Sequence, residues 1–174
     1  MDLEKLENDL REINDFSKQI QHLSKQILQL DFLNVIYEID IQNDIPLAVI
    51  RGIGLPGQII QVVQNSIAIP IKDITFDITT VPVLRRVYQE KRIINFRNLP
   101  DLVGALVPKV RYQQQVSLIV RQMGITDVLV LPLFKEEGSN PAALVAVLGP
   151  LKVEEIHFLK KIVKLFPLIQ IKEN

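Results

Sequence analysis

The stretch Asp127-Val128-Leu129-Val130-Leu131-Pro132-Leu133-Phe134, with Lys135-Glu136-Glu137-Gly138-Ser139-Asn140-Pro141 and then Ala142-Ala143-Leu144-Val145-Ala146-Val147-Leu148 after it, decides the fold. Each apolar run has the length of a strand, and neither alternates with polar residues. Strands of that kind are covered on both faces. The polar segment between them has the composition of a hairpin loop. One sheet clothed by helices on both sides follows, which is a three-layer arrangement.

Helices are available on either side of this pair. Val153 to Phe166 sets Ile156, Leu159, Ile162 and Val163 inward, and Pro167 is expected to stop it. Tyr112, Val116, Ile119, Val120 and Met123 recur at helical spacing, and Gly124 suits the residue just past a helix end. Further upstream, Leu33, Val35, Tyr37, Ile39 and Ile41 alternate with polar residues as a strand does, and Asn43-Asp44 turns it into a partner from Ile45 to Ile53. Pro56-Gly57 opens a short helix carrying Ile59, Ile60, Val62 and Val63. Residues 67 to 71 read as a brief strand. Thr80 is placed to cap a second short helix with Val81, Leu84 and Val87 inward. Arg92 to Phe96 has strand composition, and Arg97 to Pro108, with two prolines and a glycine, reads as loop.

At the start of the chain, Leu3, Leu6, Leu10 and Ile13 and then Phe16, Ile20, Leu23, Ile27 and Leu30 form a stripe at steps of three and four. Two consecutive three-residue steps, at Ile13 to Phe16, disturb its register. The expectation is one long amphipathic helix over residues 1–30, followed by a domain over 31–174 that includes the 153–166 helix. A helix packed on its own domain is one reading of the stripe. The other is a parallel homodimer stalk, with Leu3, Leu6, Leu10, Ile13, Phe16, Ile20, Leu23 and Ile27 as its seam.

Composition narrows the function. The 174 residues include 48% hydrophobic ones, enough to fill one core without staples, and 20 Lys+Arg against 20 Asp+Glu leave no overall charge. A neutral chain lacks the basic field that draws nucleic acid. With zero cysteines, thiol chemistry and disulfides are excluded. No apolar run approaches a membrane span and the first twenty residues are charged throughout, so the expectation is a soluble cytoplasmic chain with neither nucleic acid nor membrane as partner.

The order of long helix, hairpin, short helices, strand, proline-bearing loop, helix, apolar hairpin and terminal helix resembles the GAF domain family of sensory modules over about residues 30 to 167. The markers are Leu55-Pro56-Gly57, Tyr88-Gln89-Glu90-Lys91-Arg92-Ile93-Ile94 and Gly124-Ile125-Thr126-Asp127 running into Val128-Leu129-Val130-Leu131-Pro132-Leu133. The chain departs from the family at Ala142-Ala143-Leu144, where glycine is common. It also lacks the pattern of cyclic-nucleotide-binding members, and the cysteine that bilin-holding members use. The resemblance implies an α/β (α+β) fold with an antiparallel sheet of about five to six strands. It implies a small-molecule site between the sheet and the mid-chain helices and loop, with Phe76, Phe96, Arg97, Leu99, Tyr112, Gln113 and Val116 as candidates. The same residues also suit a solid core.

Enzyme chemistry finds no foothold. The serines lie in no Gly-x-Ser-x-Gly context, and Gly52, Gly54 and Gly57 lack the βαβ unit of a dinucleotide site and read as a tight turn. His22 and His157 stand one in each terminal helix, a poor pair for a metal. The expectation is a non-enzymatic sensory or regulatory module with no cofactor. It binds a small molecule or relays a signal through its terminal helices in a homodimer, to an effector domain such as a kinase, cyclase or transcription regulator. The alternative is a structural dimerisation adaptor without a pocket.

Overall fold

A computed structural model describes residues 3–67, 74–108 and 113–170. Its elements run α1 (Leu3–Arg11), α2 (Phe16–Gln29), β1 (Leu33–Gln42), β2 (Ile45–Gly54), α3 (Gly57–Ile67), β3 (Thr75–Asp77), a 3-10 turn (Ile78–Thr80), α4 (Pro82–Glu90), β4 (Ile94–Phe96), α5 (Leu102–Leu106), α6 (Gln113–Gln122), β5 (Val128–Leu133), β6 (Ala143–Leu148) and α7 (Val153–Gln170). The strands form one six-stranded sheet in the order β3-β2-β1-β6-β5-β4, with every neighbouring pair antiparallel.

The continuous apolar runs are buried from both sides. Val128 and Val130 join Leu144 and Ala146 in a front core, while Leu129, Leu131 and Leu133 join Ala143, Val145 and Val147 in a rear core. The mid-chain helices α4, α5 and α6 close the front through Leu84, Val87, Leu102, Leu106 and Val120. The terminal helices α1, α2 and α7 close the rear through Leu6, Leu10, Ile20, Leu23, Leu159 and Phe166. Alternation along a strand sends neighbours to opposite faces, so a strand apolar at every position feeds both cores at once.

The first thirty residues depart from the expected single helix. The helix breaks between Arg11 and Phe16, where Asp15 caps α2 by accepting the Lys18 amide at 2.8 Å. Gln19, buried in α2, donates to the Leu10 and Ile13 carbonyls at 3.0 and 2.8 Å and so closes the end of α1. The irregular step at Ile13 to Phe16 marks this break. Leu6, Leu10, Ile20, Leu23 and Ile27 are buried within the chain itself, against the rear of the sheet and α7. Leu3, Ile13 and Phe16 remain half-buried. A stalk using all eight as its seam would have to withdraw five of them from this core.

α2 lies close to the hairpin because two glycines make room. A Cβ on Gly52 would come within 2.7 Å of the Ser24 Cβ, and one on Gly54 would overlap the Asn34 side chain. These glycines lie inside β2 and serve close packing, so the tight-turn reading is corrected. Other elements also differ. β1 runs past the helical layers, leaving Ile41 56% exposed at the hairpin tip. The N-cap of α4 is Val81 without a side-chain bond, while Asp77, not Thr80, caps the turn before it. α7 continues through Pro167 to Gln170, with Phe166 buried beside the proline. The strand expected over 67–71 falls on α3 at Ile67 and otherwise outside the described residues.

Candidate functional site

The front layer holds an apolar cavity of about 80 Å³. Its sheet wall is Val35 and Tyr37 of β1, Ile50 and Ile53 of β2 and Leu148 of β6. The helical wall comes from Leu55 and Ile59 around the start of α3, Val120 of α6, and Leu102, Val103, Leu106 and Val107 of α5 and its end. The volume is about half that of an engineered apolar cavity that stays dry and takes up benzene.

α5 is the wall that the sequence reading leaves as loop. Pro100, Gly104 and Pro108 dominate the composition of that stretch. Yet Leu102 and Leu106, and Val103 and Val107, stand four apart, which is the spacing that sets side chains on one helical face. Asp101 starts the helix by accepting the Gly104 amide at 2.9 Å, and it also accepts the Ser117 hydroxyl of α6 at 2.6 Å. From the sheet side, the Tyr37 hydroxyl donates to the Leu106 carbonyl at 2.9 Å. Tyr37 is fully buried, and desolvation pushes its phenol far above the usual tyrosine range, so the hydroxyl stays protonated and a donor. Among the described residues the lining is otherwise hydrocarbon, which suits an apolar guest and offers an ion nothing.

The candidates from the sequence are scattered by the fold. Phe76 is buried and meets Tyr37 edge to face at 6.1 Å between ring centres, one step behind the cavity wall. Phe96 lies on β4 at the far edge of the sheet, under the Arg86 guanidinium at 5.9 Å. Arg97 is exposed, and Leu99 packs against the front core with its amide donated to the Thr126 carbonyl at 2.8 Å. None of these four lines the cavity. Tyr112 and the side chains of Gln113 and Val116 lie outside the described residues. The hydrophobic alternation of β1 and β2 and the four-residue spacing in 102–107 are the signals that point to the actual lining.

Behind the cavity, β1 is bonded to α2. Asn34 donates from Nδ2 to the Ser24 and Phe32 carbonyls, both at 3.1 Å, and accepts the Ser24 hydroxyl at 2.7 Å. Glu38 accepts the Ser17 hydroxyl at 2.6 Å and the Arg51 guanidinium at 2.8 Å. A single strand thus presents Val35 and Tyr37 to the cavity and Asn34, Ile36 and Glu38 to the rear helices. Among the described residues no cluster of His, Cys, Asp and Glu could hold a metal ion, and no helix is long and apolar enough to cross a membrane.

No family model and no curated protein matches the chain. Solved structures do. The GAF domain of an Acinetobacter phosphoenolpyruvate-protein phosphotransferase is similar with a TM-score of 0.65 at 12% identity, over 97% of this chain and 89% of that one. A GAF domain/HD domain protein from Geobacter sulfurreducens has a TM-score of 0.61 at 15% identity, over 92% and 95%. The phycocyanobilin-bound GAF domain of a cyanobacterial phytochrome has a TM-score of 0.60 at 11% identity, over 97% and 93%. The chain therefore has a GAF-like fold, a six-stranded antiparallel sheet between two helical layers.

Proposed function

We propose that the chain is a non-enzymatic sensory module that takes a small apolar ligand into the front cavity and passes its occupancy to the rear helical layer. The observation that carries this reading is the cavity itself, apolar in its described lining and walled on one side by a five-residue helix. α5 is only five residues long, packed by Leu102 and Leu106 and held by one capping carboxylate and one buried phenol hydrogen bond, so it is the wall able to yield to a guest larger than 80 Å³. Movement at Tyr37 shifts β1, and β1 is bonded to α2 through Asn34 and Glu38. A ligand acts by favouring one of two packings, to the extent of its differential affinity for them.

The reading includes a cytoplasmic setting, an effector domain that receives the output, and a homodimer. It leaves Leu3, Ile13 and Phe16 as the seam members available for a contact between copies, since the other five are interior. The test is thermal unfolding of the chain with a panel of small hydrocarbons, alcohols and short-chain acids, alongside Val120→Ile, which adds a methylene group to the cavity wall. A binder raises the midpoint with concentration in the parent chain and less in the variant. The small volume favours a second reading, a dimerisation adaptor without a ligand, and a flat response across the panel selects it.

A further inference from the structure

On the opposite layer, α7 leaves a groove along its flank. Two hollows of about 330 and 560 Å³ lie in tandem there and share Lys91, Phe134, Val163 and Lys164. The floor is apolar, made by Ile93, Pro132, Phe134 and Val163. The rim is cationic. Lys160, Lys161 and Lys164 stand on α7 on one side, and Lys91 and Arg92 follow α4 on the other. Arg92 is engaged by Glu90 at 2.6 Å, and Glu90 also takes Arg86 at 2.8 Å. None of the four lysines has a carboxylate within ion-pair distance among the described residues. Glu137, in the second hollow, is the described acidic residue of the lining.

In a chain of zero net charge this is a local excess of cations around an oily trough. We propose that the groove docks an acidic amphipathic segment of a partner protein, its apolar side chains on Ile93, Phe134 and Val163 and its carboxylates on the lysine rim. Charge complementarity selects that occupant. A simple anion leaves the floor unused. A lipid surface calls for apolar side chains that protrude, whereas these are recessed between lysines. A nucleic acid meets a largely aliphatic floor on a neutral chain. The proposal is independent of the front-face cavity, which lies on the other side of the sheet.

Fluorescence anisotropy of the full chain tests it. One probe is a labelled peptide of Leu and Glu patterned so that the leucines share one helical face. The comparison probes are a peptide of the same composition with that pattern scrambled, a thymidine oligonucleotide of equal charge, and phosphatidylserine vesicles. The patterned peptide is expected to bind about tenfold or more tighter than the scrambled one, and to weaken as salt shortens the screening length. The triple substitution K160E, K161E and K164E, all at exposed positions, is expected to weaken binding about tenfold or more with the unfolding midpoint retained. Phe134→Ala is expected to weaken it several-fold. Equal binding of the two peptides, preference for the oligonucleotide or vesicles, indifference to charge reversal, or no binding overturns the proposal. If Phe134→Ala fails to fold, the lysine variant and the scrambled peptide decide alone.

Discussion

Shortening Leu106 to alanine probes the cavity wall most sharply, because this residue is 4% exposed, lines the cavity and belongs to the small helix on its outer side. Removing three buried carbon groups forfeits about 2.4 kcal/mol of burial at ~0.8 kcal/mol each. If the surroundings stay in place, an added void of about 80 Å³ costs about 2 kcal/mol more at ~24 cal/mol per Å³. α5 is short and able to settle inward, so a loss of about 3 kcal/mol is expected, a midpoint fall of roughly 6–12 °C for a chain of this size. Equilibrium urea unfolding measures it. The enlarged space lies between about 100 Å³ with α5 settled and about 160 Å³ without, the upper end being the size of cavities that accept benzene. Benzene at a hundred times its dissociation constant is then expected to restore about 2.7 kcal/mol to the variant. A loss below about 1 kcal/mol, together with no benzene response, refutes the placing of Leu106 in the wall of an apolar space.

Other positions give separate tests. Tyr37→Phe leaves the Leu106 carbonyl without its donor and is expected to cost about 1 kcal/mol in urea unfolding at pH 7. Because the folded phenol titrates well above its ordinary value of about 10, its contribution is complete below that pH. Above it the parent loses about 1.4 kcal/mol per pH unit, so the difference of about 1 kcal/mol closes within about one unit and the variant is the more stable beyond that. Gly54→Ala sets a methyl group against the Asn34 amide, which two carbonyls hold in place, and is expected to cost more than about 2 kcal/mol in thermal unfolding. Gly57→Ala meets nothing within 4 Å at the start of α3 and is expected to be neutral or stabilising by up to about 1 kcal/mol. Gln19→Ala removes the side-chain donor to the Leu10 and Ile13 carbonyls, and hydrogen exchange is expected to rise over residues 3–13 while that of 16–29 changes little.

The sandwiched sheet is legible in the sequence because residues 128–133 and 143–148 are apolar at every position, a pattern that only double-sided cover explains. The helices of the rear layer are legible as a stripe, but their partner is not. The steps that suit a seam between two copies suit equally a seam between α1, α2 and α7 of one chain, since apolar spacing specifies a face and not its occupant. The break at 12–15 is a matter of long-range bonds, the Gln19 amide reaching back six and nine residues, and leaves only the irregular step at Ile13 to Phe16 as its trace. The cavity was less accessible. β3 and α5 are three and five residues long, too short for periodicity to register, and in 97–108 proline and glycine outweigh the paired Leu and Val spacing. The places of the two expected aromatic residues were hidden for a related reason. Phe76 and Phe96 occupy short strands at opposite ends of the sheet, β3 and β4, and only the strand order reveals that separation.

Sensing by this fold requires the front-face space to take up an apolar guest and to be coupled through β1 to the rear helices. Methyl carbon spectra of the chain under rising xenon pressure test it most directly, since xenon enters dry apolar cavities. Saturating shifts are expected at Val35, Ile50, Leu106 and Val120, with smaller shifts of the same midpoint at Ile20, Leu23 and Ile36. Shifts that grow linearly everywhere without saturating, or saturation confined to methyl groups outside this set, contradict it.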